Sequence, residues 1–351
     1  MKTRAKRLAA ILMAAVMMTA MAVPAFADPS QTTDDPAATA TGSTTGGAIT
    51  SMEFTKVVDA DANTYQPEET FKFTVSGATV EGTETYNGAV VSSGTNGTGS
   101  ITAADVVTDY NELGKKTYKS SLDFSGVSFK QPGVYKYTVS ETKGSNVDMT
   151  YDTTRTLYVY VRWNSDKTKT EIYGAAMTEA DSTTKSANFT NVYKTSGNTT
   201  NEFKDLTIKK SVTGAQGDTS KLFSFKLKIT SGSGRHYYKV SATANDSAVQ
   251  LESGVDYEFQ LKDGEFITVE NLSTNDTYTV TEVESGQDGY ATTGEVKTAT
   301  NMVSTDKTET IINNKDAVTP TGIVMSYGPY IAMIAAAAVL AFVFLRRKEE
   351  I

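Results

Sequence analysis

The sequence predicts an all-β protein with two tandem β-sandwich domains. Among its 351 residues are 18 Tyr and 14 Phe, with many Thr and Val and only 7 Pro, a composition that favours sheet over helix. Apolar residues also recur at every second position, which is the period of a half-buried strand. A chain of this length with 39% hydrophobic residues is long enough to form two cores of ordinary size.

Both ends of the chain carry signals for export. Four cations precede an apolar run that ends in small residues, which predicts a signal peptide over residues 1–27. Residues 28–49, rich in Thr, Ala, Gly and Asp, are predicted to be a disordered linker. The apolar segment 323–345 is long enough to span a bilayer, and the basic tail 346–351 follows it, so the positive-inside rule places the bulk of the chain outside the cell.

Composition excludes several classes of function. Without the signal peptide and the tail, the chain keeps 26 basic and 39 acidic residues, a net charge of about −13 that argues against nucleic acid as a partner. His236 is the only histidine, and the sequence has no metal-ligand spacing and no phosphate-binding loop, so we expect no metal, no cofactor and no enzymatic turnover. Cysteine is absent, so an exported chain must rely on packing or on another covalent link.

The first predicted domain, residues 50–194, carries three polar side chains at positions where alternation requires apolar ones. Lys56 shares one face of the first strand with three apolar residues. Glu141 ends the strand VYKYTVSE on the face of two tyrosines and a valine, and Asn191 lies between Phe and Tyr in the closing strand SANFTNVY. Three buried polar groups in one domain predict a shared chemistry.

The second predicted domain, residues 204–316, repeats this pattern after a polar linker at 195–203. Lys210 lies in its first strand, Glu282 ends the strand TYTVTE, and Asn313 lies in its closing strand. Asn314 is an alternative acceptor, and Lys209 adjoins Lys210, although alternation favours Asn313 and Lys210. Two local predictions complete the interpretation: a hairpin at Leu261–Val269 across Asp263-Gly264, and a possible short helix at Ala103–Leu113.

The repeated triple predicts a self-catalysed cross-link. If the first and last strands are neighbours, the lysine and the asparagine come within reach of each other, with the glutamate beside them. Burial lowers the pKa of a lysine and raises that of a glutamate. The neutral amine of Lys56 or Lys210 is then a nucleophile, and the carboxyl group of Glu141 or Glu282 acts as a proton relay. The predicted product is a Lys-Asn isopeptide bond.

These motifs resemble the streptococcal backbone-pilin type of isopeptide-linkage domain, a relative of the immunoglobulin-like collagen-adhesin B-type fold. The resemblance covers roughly residues 50–316 and rests on the lysine strands EFTKVV and LTIKKSV, the Tyr-x-Val-x-Glu strands and the closing Phe-x-Asn-x-Tyr. It implies a Lys56–Asn191 and a Lys210–Asn313 bond, each catalysed by the glutamate of its domain. The second closing strand departs from the pattern, because Ile311 replaces Phe and Lys315 replaces Tyr.

Residues 317–322 resemble the pilin variant of a sortase sorting signal. The motif is carried by Thr319, Pro320, Thr321 and Gly322, and a membrane segment and a basic tail follow it. The resemblance implies that a sortase cleaves after Thr321 and joins it to an amine of another pilin subunit or of peptidoglycan. The alternative is a permanent single-pass membrane protein.

The sequence therefore favours a structural protein of a Gram-positive cell wall and cell surface, anchored to the membrane only through its C-terminal segment before sorting. A polymerising pilus backbone is the leading interpretation, with Lys185 as the lysine that accepts the next subunit. The alternative class is a wall-anchored adhesin or stalk that binds a host matrix or glycan ligand. Its ligand site would lie in the long irregular region Gly77–Leu113.

Overall fold

The computed structural model describes residues 40–42, 47–193, 203–242, 249–317 and 329–340. Within these ranges the chain consists of β-strands and loops, apart from a single 3₁₀ turn, Gly94–Asn96, and a helix at 329–340, so the predicted all-β class is confirmed. No helix among these residues is long and apolar enough to cross a membrane. The predicted signal peptide and Thr319–Gly322 lie outside the described residues.

The N-terminal half, residues 40–193, contains sixteen strands. In chain order they are β1 Ala40–Gly42, β2 Ile49–Ala60, β3 Thr70–Phe71, β4 Phe73–Gly77, β5 Thr85–Tyr86, β6 Ala89–Ser93, β7 Thr98–Gly99, β8 Thr102–Ala103, β9 Val106–Val107, β10 Lys116–Asp123, β11 Val127–Ser128, β12 Gly133–Glu141, β13 Met149–Thr150, β14 Thr154–Trp163, β15 Thr170–Glu179 and β16 Asn188–Tyr193.

Two six-stranded sheets enclose the core of this half. One has the order β13-β16-β2-β10-β8 with β1 also paired to β2, and the other has the order β15-β14-β12-β6-β5 with β4 also paired to β12. The short pairs β7-β11 and β3-β9 lie outside these sheets. Met52 and Phe54 of β2 belong to the same buried cluster as Tyr137 and Val139 of β12, so side chains from both sheets form one core.

The C-terminal half, residues 203–317, repeats the arrangement with ten strands. Its sheets have the orders β20-β19-β22-β17-β26-β24 and β21-β18-β23-β25, and they share a second buried cluster. The strands are β17 Lys204–Thr213, β18 Phe223–Thr230, β19 Tyr237–Ser241, β20 Val249–Glu252, β21 Asp256–Leu261, β22 Phe266–Leu272, β23 Thr277–Glu282, β24 Ala291–Thr293, β25 Val296–Asn301 and β26 Lys307–Asn314.

The first and last strands of each half are parallel neighbours. β16 lies beside β2 over Asn188–Tyr193, and β26 lies beside β17 over Lys307–Asn314. A parallel pair cannot be closed by a tight turn, so the whole of each half intervenes between its two partners. The chain therefore enters each half at one end of the sheet and leaves it at the other.

The two halves contact each other around Arg235. Arg235 is 2% exposed. Its guanidinium lies over the rings of Tyr193, Phe203 and Tyr238, with distances to the ring centroids of 5.4, 4.4 and 4.9 Å. Next to it, Nε2 of His236 lies 2.6 Å from Oε2 of Glu68 in the other half. A buried cation enclosed by aromatic rings from both halves holds them together.

Two predictions about local structure were wrong. Part of the predicted linker 28–49 is a strand, because the backbone of Ala40–Gly42 pairs with an otherwise open stretch of β2 and needs no apolar side chain to do so. The possible helix at Ala103–Leu113 is absent, because Thr102–Ala103 pairs with β10 and Val106–Val107 pairs with β3.

The predicted hairpin at Leu261–Val269 was also wrong, although its turn exists. Gly264 has a φ of 79°, which suits glycine, but β21 pairs with β18 in one sheet whereas β22 pairs with β17 in the other. The Gly264 amide donates to the carbonyl oxygen of Lys210 and so fixes the turn against β17. The Asp-Gly turn therefore carries the chain from one sheet to the other.

Replacing Arg235 tests the contact between the halves. Arg235→Ala removes three cation–π contacts and leaves a cavity, so we expect a loss of roughly 3 kcal/mol in the free energy of unfolding and a melting temperature lower by roughly 6–12 °C. The control is Arg162→Ala, since Arg162 lies over the exposed ring of Tyr173. Equal melting temperatures for the two variants would contradict the role assigned to Arg235.

Candidate functional site

Two lysines lie inside the cores because of the alternation in the first strands. The side chains of Lys56 and Lys210 are 0% exposed, and their neighbours on the same face are apolar. Phe71 covers the Lys56 amine at 4.6 Å from the ring centroid, and Phe223 covers the Lys210 amine at 4.4 Å. The rings exclude water from both amines, so each amine depends on a neighbouring polar group.

The asparagines reach the lysines because of the parallel register. Lys56 is opposite Phe189, which places Asn191 two residues further along the same face. In the C-terminal half Lys210 is opposite Ile311, and Asn313 follows at the same offset. Ile311 is 0% exposed, as is Phe189, so the departure from the Phe-x-Asn motif keeps an apolar side chain at that position.

A glutamate from the opposite sheet joins each pair. Nζ of Lys56 donates to Oε2 of Glu141 at 2.8 Å, and Nδ2 of Asn191 donates to Oε1 of the same carboxyl group at 2.5 Å. The structure therefore brings together the three residues that the sequence singled out in the first half.

The second cluster has the same geometry. Nζ of Lys210 donates to Oε2 of Glu282 at 2.9 Å, and Nδ2 of Asn313 donates to Oε1 at 2.6 Å. Each glutamate pairs with the second phenylalanine of a Phe-x-Phe sequence, Phe73 for Glu141 and Phe225 for Glu282. We call these the first and the second Lys-Glu-Asn cluster.

Burial shifts the ionisation of Lys56, Lys210 and Glu141 towards their neutral forms. Desolvation lowers the pKa of Lys56 from 10.5 to about 8, against the opposing hydrogen bond and charge of Glu141. Desolvation likewise raises the pKa of Glu141, although the hydrogen bond and charge of Lys56 oppose it. The pKa of Lys210 is also lowered by burial. A lowered lysine pKa increases the population of the nucleophilic amine.

Sequence reasoning missed one contact in the first cluster. The backbone amide of Asp152 donates to Oδ1 of Asn191 at 2.7 Å. Asp152 lies in a loop beyond β13, where residue type alone carries no sign of a contact with the closing strand. In the second cluster, Oδ1 of Asn313 is buried and has no hydrogen-bond partner among the described residues.

The alternative residues of the second half lie away from its cluster. Lys209 is exposed on the outer face of β17. The side chain of Asn314 accepts from Thr213 and donates to Asp316 at the surface.

Lys185, the lysine predicted to accept the next subunit, lies in the first half. It is exposed, and its backbone forms an isolated bridge with Thr178 just before β16.

Comparisons with known proteins agree with this architecture. Residues 52–194 match the family model of the Spy0128-like isopeptide containing domain, and residues 204–315 match a domain of unknown function, DUF7601. A pilin of Streptococcus pyogenes serotype M1 is 35% identical over 277 residues, which cover 69% of this chain and 75% of the relative.

Solved pilin structures have the same fold. One crystal structure of the major pilin of Streptococcus pyogenes has a TM-score of 0.53 and 26% identity, covering 76% of this chain and 99% of the other. A second major pilin of that species has a TM-score of 0.55 at 24% identity, covering 75% and 98%, which shows the fold alone.

The fold and these relatives define a structural pilus subunit located at the cell surface. More particularly, the chain belongs to the family of streptococcal backbone pilins that carry the Spy0128-like isopeptide containing domain. The family resemblance drawn from the sequence is thereby confirmed.

The buried ion pair of the first cluster can be tested separately from any covalent bond. In a chain that carries Asn191→Ala, Lys56→Met leaves Glu141 without its cation, so the free energy of unfolding should fall by about 3–5 kcal/mol. Adding Glu141→Leu removes the uncompensated carboxylate and should restore most of the loss. Urea denaturation measures both changes.

An exposed ion pair on neighbouring strands supplies the control. Lys119 lies 3.6 Å from Glu53, and both side chains are largely exposed. Lys119→Met should therefore change the free energy of unfolding by about 0.5 kcal/mol or less. A similarly small change in the free energy of unfolding for Lys56→Met would mean that the first cluster does not depend on its ion pair.

Proposed function

We propose that this chain is a sortase-polymerised pilus backbone subunit held together by two intramolecular bonds, Lys56–Asn191 and Lys210–Asn313. One observation carries the proposal: in each half, a buried lysine and a buried asparagine bind the two oxygens of one buried glutamate. An ion pair needs no asparagine, but amide formation needs all three groups. The same arrangement occurs twice, in two different sequences.

The proposed reaction is a transamidation. Nζ of Lys56 attacks Cγ of Asn191, and the carboxyl group of Glu141 takes a proton from Nζ and delivers one to Nδ2. The Cγ–Nδ2 bond then breaks, ammonia leaves, and a Cγ–Nζ amide bond remains while Glu141 returns to its starting state. The product is neutral, so the reaction also removes the cost of a buried charge.

The position of the bonds suits a subunit under tension. Each bond would join the first strand of a half to its last, so that a pulling force passes through the cross-link instead of separating the sheet. By the loop-entropy model, closing the loop from Lys56 to Asn191, or the loop from Lys210 to Asn313, adds roughly 5 kcal/mol to the free energy of unfolding for each bond. The bonds would take the place of the disulfides that a chain without cysteine cannot form.

Assembly and export complete the proposal. Each half would be a separate immunoglobulin-like domain, and the chain would be exported through residues 1–27 and held by 323–345 until a sortase cleaves after Thr321. Lys185 is the proposed acceptor, because its side chain is exposed beside the closing strand. The covalent fibre would then run from Thr321 of one subunit to Lys185 of the next.

Intact mass spectrometry tests the bonds. The folded protein should be lighter than its sequence mass by two molecules of ammonia. Glu141→Ala or Glu282→Ala should each block one bond, so that the variant keeps the mass of one ammonia molecule and has a lower melting temperature. The double variant should keep the mass of both. Lys56→Arg should also abolish the first bond, because an arginine side chain stays protonated and is not a nucleophile here.

An exposed glutamate elsewhere in each half provides the control. Glu53→Ala on β2 and Glu258→Ala on β21 should leave both the mass and the melting temperature unchanged, since both side chains are largely exposed. A parent protein with its full sequence mass would rule out both bonds.

Polymerisation is tested in cells that express the chain with its sortase. Lys185→Ala should abolish the high-mass ladder in a blot of cell-wall extract, whereas Lys167→Ala, at another exposed lysine, should leave the ladder intact. An unchanged ladder in the Lys185 variant would remove Lys185 as the acceptor but would not affect the mass test of the internal bonds.

A further inference from the structure

We propose that the backbone amide of Asp152 stabilises the oxyanion formed at Asn191, and that the Asp152 carboxylate is the positioning group that aims this amide. The inference rests on the proposed isopeptide reaction and extends it by a residue outside the Lys-Glu-Asn cluster. It also implies that the two clusters react at different rates, because among the described residues such a donor is found at the first cluster and not at the second.

The donor is held in place by its own side chain. Oδ2 of Asp152 accepts from the Thr190 amide at 2.7 Å, and Oδ1 accepts from the Thr153 amide at 2.7 Å. Arg155 adds two further bonds to the carboxylate, at 3.0 and 2.7 Å. Thr190 immediately precedes Asn191, so the carboxylate ties the Asp152 loop directly to the strand that carries the reacting amide.

The Asp152 carboxylate, which we call the clamp, stays charged despite its burial. Desolvation would raise the pKa of Asp152, but the hydrogen bonds from Arg155, Thr190 and Thr153 outweigh it and hold the pKa below its usual value. An ionised carboxylate binds amide donors more tightly than a neutral acid does. The geometry is therefore fixed before the reaction begins, which is what an oxyanion donor requires.

The donor points to the atom on which charge develops. When Nζ of Lys56 adds to Cγ of Asn191, the Cγ–Oδ1 double bond becomes a single bond and Oδ1 takes the negative charge. The Asp152 N–H, 2.7 Å from Oδ1, stabilises that charge. As the double bond reforms, Nδ2 leaves as ammonia with the proton that Glu141 delivers.

Within the part of the chain that the structure describes, the second cluster lacks the equivalent contact. β13 and β24 occupy matching positions beside the closing strands: Thr150 is opposite Val192, and Thr293 is opposite Ile312. Continuing the first register places Asp152 opposite Thr190, one residue before the asparagine, which makes Thr293 its counterpart. Threonine has no carboxylate to form such a clamp, and Oδ1 of Asn313 is left without a partner among the described residues.

The test measures the rate of each bond separately. The full chain is taken from inclusion bodies, dissolved in denaturant and checked for its full sequence mass, so that it starts without either bond. It is then folded by dilution, and intact mass spectrometry follows the loss of ammonia with time. A Glu282→Ala chain reports the first cluster alone, and a Glu141→Ala chain reports the second. The first cluster should react faster. Asp152→Pro removes the N–H and should slow the first cluster by about 100-fold, while the rate of the second stays unchanged.

The fluorescence of Trp163 shows whether the Asp152→Pro variant folds. If it does not fold, a second pair of variants still tests the inference. Asp152→Ala retains the N–H but loses the clamp, and should slow the first cluster by roughly tenfold or more. The Thr190 and Thr153 amides donate to different oxygens of Asp152, so Asp152→Asn keeps an acceptor for one of the two. It should recover part of that rate, which a general loss of stability would not produce.

The outcomes separate this inference from the function on which it rests. If the parent loses ammonia normally and the alanine variant reacts at the parent's rate, the positioning role of the Asp152 carboxylate is overturned. A proline variant that folds and reacts at the parent's rate overturns the role of the amide, and the bonds stand in either case. A second cluster that reacts as fast as the first would also overturn it. If the parent loses no ammonia at either cluster, the proposed function fails as well.

Discussion

The cost of enclosing a lysine in a sheet-on-sheet core governs the design of both halves. A charged amine with no water around it must be paired, neutralised or converted into something else. Each half supplies a carboxyl group from the opposite sheet and an amide from the adjacent strand, and it closes the site with a phenylalanine ring. The register of the parallel first and last strands exists to bring these groups together, and the rest of the sandwich keeps that register.

Much of this could be predicted from the sequence because strand alternation is a strict rule. It placed Lys56, Glu141 and Asn191 on inward faces. The second half repeats the same three residue types in the same order, which argues against a chance arrangement. The preference for Lys210 over Lys209 and for Asn313 over Asn314 followed from the same rule, and in the structure both preferred side chains lie in the core.

Other features depend on contacts that a linear pattern does not encode. The Asp263-Gly264 turn has the composition of a hairpin, but which strands it joins is decided by a backbone bond to Lys210. The Asp152 amide donates to Asn191 through a backbone atom, so its residue type gives no clue to the contact. Arg235 resembles any surface arginine in the sequence, and its burial becomes visible only when both halves are assembled around it.

The parallel pairing of first and last strands also gives each half a direction. The chain enters at one pole and leaves at the opposite one, so the two poles present different loops and different chemistry. A contact that joins one pole of a subunit to the opposite pole of the next uses two different surfaces, so it is heterologous and is not the self-complementary contact of a two-fold dimer. Where the rotation between neighbours does not close a ring, the result is an open filament, and its two tips expose different poles of the subunit.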